Sequence, residues 1–133
     1  MPILVGALLA VAVGAGATGA GLDRDRAFYA VVTIVVASYY SLFAAMGGTT
    51  QALVLESALA AAFVAAAVVG FRSSLWIVAI ALAGHGVFDL AHDAFVSNAG
   101  VPRWWPAFCC TYDVVAGTYL AWLLERGRIR VAP

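Results

Sequence analysis

Lysine is absent from this chain, and charge of either sign is scarce. Seven Arg and seven Asp plus Glu make up only 11% of its 133 residues, against 65% hydrophobic. A soluble domain carries about a quarter of its residues as charged side chains, so a wet globular surface is excluded. Intrinsic disorder is excluded by the same balance, since disordered chains are poor in apolar residues. The formal net charge is zero and no basic stripe is present, so no nucleic-acid partner is expected. Cysteine is limited to Cys109 and Cys110, which are adjacent. Neighbouring helical side chains point about 100° apart and a bond between them strains the backbone, so both are expected to be reduced, small and buried.

What the chain has in abundance is long apolar runs. They cover about residues 3–20, 27–46, 51–70, 74–96 and 105–124, each near the ~20 residues a helix needs to cross the hydrocarbon core. None alternates in the manner of a barrel strand. In lipid, a helix is the form that satisfies every backbone N–H and C=O within the segment. The expectation is therefore all-α: a polytopic transmembrane helix bundle of about five spans, forming one domain over residues 1–133. The first run is rich in Gly and Ala, but Met1-Pro2-Ile3-Leu4 lacks the positive start of a secretory signal, so it too is predicted to span. Its glycines at 6, 14, 16 and 19 permit close helix contact. The connections are short, with Thr49 or Thr50 and Ser73 or Ser74 placed to cap the helices that follow.

Arginine placement predicts the orientation. With five spans, Arg24, Arg26, Arg72, Arg126, Arg128 and Arg130 fall on one side and Arg103 alone on the other. The positive-inside rule makes the first side cytoplasmic, putting the N-terminus outside and the C-terminus inside, in the cytoplasmic (inner) membrane. Trp104 and Trp105 then mark the outer interface and Trp76 and Trp122 the inner one.

Against this apolar background the ionisable residues stand out. Asp23, Asp25 and Glu125 flank spans and are expected in water. Glu56, Asp89, Asp93, Asp113, His85 and His92 lie within spans, where an ionisable group costs at least about 2–3 kcal/mol. In a continuous helix, His85, Asp89 and His92 fall within about 60° of one another, with Asp93 at the edge of the stripe. Glu56, Asp89 and Asp113 all lie roughly 9–12 Å below the outer boundary at the helical rise. Three antiparallel helices thus offer acids and imidazoles at one level. Ser38, Tyr39, Tyr40 and Ser41 approach that level, where packing is the simpler role for both tyrosines, and Trp104-Trp105-Pro106 is placed to roof it. Cys109 lies one turn before Asp113 on the same face; it reads first as a small buried residue, with soft ligation as the alternative.

Four features carry a resemblance to a known family: Glu56 after the Gly47-Gly48 turn, the Gly70-Phe71-Arg72-Ser73 loop, His85-x3-Asp89-x2-His92, and Cys110-x2-Asp113. Together they resemble a small family of bacterial and fungal multi-pass membrane proteins of unknown function, over roughly the C-terminal two-thirds of the chain. The resemblance implies that Glu56, His85, Asp89, His92 and Asp113 act as one site. It departs at Asp93, where the family has a second histidine. A looser, fold-level likeness to the sterol-isomerase and sigma-2 receptor superfamily lies in the intramembrane acids and the tryptophan-rich start of the last span.

These residues predict a metal-dependent intramembrane enzyme of hydrolase type. His85, Asp89, His92, Asp113 and Glu56 form the candidate ligand set, and their mixed N and O donors suit Zn, Fe or Mn. Asp93 or Glu56 is the candidate general base. The expected partner is a membrane lipid or another apolar small molecule, and the Gly/Ala-rich first and third spans offer surfaces for a homodimer. Two alternatives stay open. One is a metal-free acid–base isomerase of a polyprenyl or sterol-like lipid. The other is a non-enzymatic protein that binds or handles protons or metal ions, although no acid or histidine lies in the inner half of the spans to complete a path.

Overall fold

The computed structural model describes Met1–Pro133. It is helical throughout, with no strand: α1 Pro2–Ala20, α2 Ala27–Gly47, α3 Thr50–Arg72, α4 Leu75–Asp89, α5 His92–Phe95 and α6 Trp105–Glu125. The boundaries have local causes. Pro2 and Pro106 sit in the first turns of α1 and α6, where a missing N–H costs nothing. Gly21 ends α1 in the left-handed conformation at φ 75°, and Leu22 N–H reaches back to the Ala17 carbonyl, a Schellman closure. Thr49 caps α3, its hydroxyl accepting from Ala52 N–H at 3.1 Å.

Four helices, α1, α2, α3 and α6, are long and apolar enough to cross a membrane. The surface agrees with that reading. Leu4, Leu8, Val31, Val54, Ile80 and Val87 are all exposed, on faces that in water would be a large penalty. The fourth expected span differs. Instead of a continuous helix over 74–96, α4 stops at Asp89 after 15 residues, about 22 Å of helix at the standard rise. Leu90 N–H and Ala91 N–H bond three residues back, to Val87 and Phe88. This tightened turn separates α4 from the single turn of α5.

Lateral packing runs α1 on α6, α6 on α4, α4 on α3 and α3 on α2. Consecutive helices α1 and α2 do not close the ring. The α4–α6 contact is close along its length, because glycine lets the backbones meet. A Cβ on Gly86 would lie 2.7 Å from the Cys110 carbonyl oxygen, and one on Gly117 would lie 2.9 Å from that of Ala79. Of the α1 glycines, Gly6 and Gly14 press against α6 at Phe108 and Tyr119, whereas Gly16 and Gly19 face open space.

The first loop, the third loop and the C-terminal tail meet at one end, as alternating antiparallel helices require. Arg26, itself buried, donates to the Phe71 carbonyl at 2.6 Å and to the Arg130 carbonyl at 3.1 Å. Leu75 N–H bonds to the Val131 carbonyl, so the tail folds back over the arginine-bearing end. Asp23 belongs to this packing rather than to water. It is only 3% exposed and accepts from the Thr18 hydroxyl at 2.6 Å, which also meets Tyr119 Oη at 3.2 Å. The turn left by Gly21 folds the loop back on α1 and carries the carboxylate inward.

Candidate metal centre

The close approach of α4 to α6 at Gly86 places the neighbouring His85 against Asp113. His85 Nδ1 donates to Asp113 Oδ2 at 2.7 Å, and Asp89, one turn along α4, brings Oδ2 to 3.8 Å from the same nitrogen. Cys109, one turn before Asp113 on α6, donates its thiol to Asp113 Oδ2 at 3.5 Å. All four residues are buried, and their donor atoms lie within 4.8 Å of one another.

The accounting of hydrogen bonds in this group does not close. Asp89 Oδ1, Asp89 Oδ2 and Asp113 Oδ1 are buried with no hydrogen-bond partner. A buried acceptor left unmatched costs about 1–3 kcal/mol, and more when it is charged. The other unmatched buried atoms are Tyr29 Oη, Tyr40 Oη, Ser41 Oγ and Trp105 Nε1, each one atom of a neutral group. Of these, Tyr40 Oη stands near Asp89, as does the Cys109 thiol, so each is placed to donate to that carboxylate after a small adjustment. Only in the His85 group do several carboxylate oxygens of two acids go unmatched together.

The remaining expected ligands form a second group. His92 Nε2 donates to Glu56 Oε1 at 2.9 Å. The same oxygen accepts from Asn98 Nδ2 at 2.9 Å, and that amide also reaches the Tyr40 carbonyl at 3.1 Å. Asn98 Oδ1 holds Gly100 N–H at 3.1 Å, which fixes the loop between α5 and α6. The single five-residue site expected from the sequence is thus divided in two. The turn at Leu90–Ala91 lies between the two histidines: His85 on α4 bonds to Asp113 on α6 and packs its ring on Phe63 of α3, while His92 on α5 bonds to Glu56 on α3. Tyr40 stands between them, stacked on His92 at 4.1 Å between ring centroids and tilted toward His85 at 6.2 Å.

Asp93, expected at the edge of the stripe, turns outward with its side chain 90% exposed. Its Oδ1 lies 3.4 Å from His92 Nδ1. Glu56, the other candidate base, is occupied on one oxygen by His92 and Asn98. Trp105 is buried among Tyr39, Phe43 and Phe108, so it forms part of the core near this end, while Trp104 stays exposed. Sequence reasoning missed Asn98, which sits in a loop with no periodicity to mark it, and gave Tyr40 and Cys109 lesser roles. For Cys109 the signal was its spacing of four residues before Asp113.

Comparison of the chain with protein-family models, curated proteins and solved structures found no match.

Proposed function

We propose that this chain is a multi-pass membrane protein that holds one divalent metal ion in its buried His85–Asp89–Asp113 group, with Cys109 as a fourth donor, and acts through it on an apolar or lipid substrate. The observation that carries the reading is the set of unmatched carboxylate oxygens on Asp89 and Asp113, converging with an imidazole and a thiol. Water can satisfy some of them, but two buried acids call for a cation or a proton. The donor chemistry fits. One nitrogen, carboxylate oxygens and a thiol are a set that zinc accepts, and the sulfur disfavours manganese.

Ligands of a tetrahedral ion with bonds of about 2.1 Å lie roughly 3.4 Å apart. His85, Asp89, Asp113 and Cys109, whose donor atoms lie within 4.8 Å of one another, would hold the ion by drawing inward, and the hydrogen bonds to Asp113 Oδ2 would give way to it. When bound, such an ion would polarise a carbonyl or phosphoryl oxygen and acidify water, which is the chemistry a hydrolase-like activity requires. His92 and Glu56 serve here as a neighbouring hydrogen-bonded pair that sets the position of Tyr40 and of the α5–α6 loop.

The test is metal analysis of full-length protein purified without chelator. Wild type is expected to carry about one ion per chain, and Asp113→Asn to lose most of it, as for any site built on deprotonated ligands. Metal-free wild-type protein that fails to take up added zinc overturns the reading and leaves His85 and Asp113 as an acid–base pair. Retention of the ion in an Asp89→Asn, Asp113→Asn double variant overturns it as well.

A further inference from the structure

The open side of the ring, between α1 and α2, contains a cleft of about 380 Å³ whose floor is α6. That volume lies within the range of small-molecule sites. Leu9 of α1 and Val35 of α2 line it and are themselves exposed, so they form its mouth. Tyr39, Phe108 and Tyr112 line its walls, and every lining residue is hydrophobic. No charged side chain lines it, so a ligand with a charged body has no counter-charge there to meet. The mouth opens sideways, between two helices long enough to cross a membrane, and in a bilayer the surrounding medium at that place is hydrocarbon.

One lining residue ties this cleft to the candidate metal centre. Cys109 lines it, and the same thiol donates to Asp113 Oδ2 at 3.5 Å. A single side chain therefore separates the inner end of the cleft from the buried carboxylates.

We infer that the cleft is a lateral binding site for one hydrocarbon chain of a membrane lipid, seated with part of its length against Cys109. The occupancy follows from the shape, the apolar lining and the sideways opening. The further role, bringing a lipid bond to the ion, rests on the metal reading above. Of the residues lining the cleft, Cys109 is the one that also belongs to the buried His85 group.

The experiment uses full-length protein in phosphatidylcholine vesicles containing a small fraction of phosphatidylcholine with a photoactivatable diazirine on one acyl chain. After irradiation, adducts are located by peptide mass spectrometry, and metal content is measured on the same preparation. Adducts are expected to concentrate at Tyr39, Phe108 and Tyr112, several-fold above those at Val54 and Ile80, which are exposed on other faces. Val35→Trp and Leu9→Trp each narrow the mouth from opposite walls at exposed positions, and each is expected to lower the α6 adducts several-fold with metal content unchanged. Even labelling of Val54, Ile80 and α6 overturns the inference. So do α6 adducts that persist in both tryptophan variants. Loss of the metal reading shows separately, as metal-free protein whose cleft still labels, and it removes only the catalytic role.

Discussion

His85 and His92 are seven residues apart on one apolar stretch, both buried, and each meets a carboxylate at hydrogen-bond distance. Their surroundings differ in one respect. Around His92, Glu56 Oε1 is matched twice, by the imidazole and by Asn98, and Asn98 is used on both its oxygen and its nitrogen. Around His85, three carboxylate oxygens are unmatched. A buried polar network that satisfies itself adds rigidity, whereas one left incomplete is a standing cost that a bound partner relieves. The presence of histidine and acid in a membrane does not tell these cases apart; the hydrogen-bond accounting does.

The largest effect expected from this contrast is on metal binding. His85→Ala removes a ligand and should weaken zinc binding by more than the roughly 10–100-fold seen when only a supporting residue is lost. His92→Ala should stay within that supporting range or below it. Competition of the purified variants against a chromophoric chelator measures both. If His92→Ala abolishes binding and His85→Ala spares it, the assignment of the two groups is reversed and the contrast is broken.

Stability of the metal-free protein should show the opposite ranking. Glu56→Ala strands the buried His92 N–H, at about 1–3 kcal/mol, and removes one of the two bonds donated by the half-buried Asn98 amide, which keeps the Tyr40 carbonyl, for a combined loss of roughly 2–4 kcal/mol. Asp89→Leu deletes two acceptors that lack a well-formed hydrogen bond and leaves only the neighbouring Tyr40 hydroxyl and Cys109 thiol without that acceptor. Metal-free protein should therefore lose less than Glu56→Ala does, or gain up to about 1 kcal/mol, while losing the ion. Unfolding in mixed micelles by increasing denaturing detergent checks the ranking. An Asp89→Leu loss as large as that of Glu56→Ala would mean that Asp89 is already satisfied, and the distinction between the two groups would fail. Sites that cost stability when empty are the usual signature of function.

Much of this arrangement is legible before any coordinates. Hydropathy and length place four helices almost at their observed bounds, because in an apolar chain the backbone has no alternative to the helix and the polar turns are few. The fourth run is misjudged for a physical reason. Leu90, Ala91 and Ala94-Phe95-Val96 continue the apolar pattern, and no Pro or Gly marks the break after Asp89. The turn instead accompanies tertiary contacts, His92 meeting Glu56 on α3 while Asn98 ties the following loop to Tyr40. A helical wheel drawn through that turn puts His85, Asp89 and His92 on one stripe, and their partition into two hydrogen-bonded groups does not show in it. Asp23 is a similar case. Its position in a charged loop suggests water, and only the fold shows the Gly21 turn carrying it back against Thr18.

The smallest effect concerns the joint that assembles the His85 group. Gly86 lies where a Cβ would meet the Cys110 carbonyl at 2.7 Å and the Asp113 Cβ at 3.0 Å. Gly86→Ala forces α4 away from α6, an overpacking that costs about 1–3 kcal/mol against a gain of up to about 1 kcal/mol in helix propensity, so a net loss of about 1–2 kcal/mol is expected. Because Asp113 is on the opposing helix, the same displacement stretches the His85–Asp113 contact and should weaken zinc binding modestly. The His92–Glu56 pair, which joins α5 to α3, is left in place. Gly84→Ala is the matched control, since its Cβ meets nothing within 4 Å and should be neutral or slightly stabilising. Equal zinc affinity in the two alanine variants would show that the α4–α6 spacing does not set the geometry of the centre. A loss confined to Gly86→Ala locates the control of that geometry in one missing methyl group.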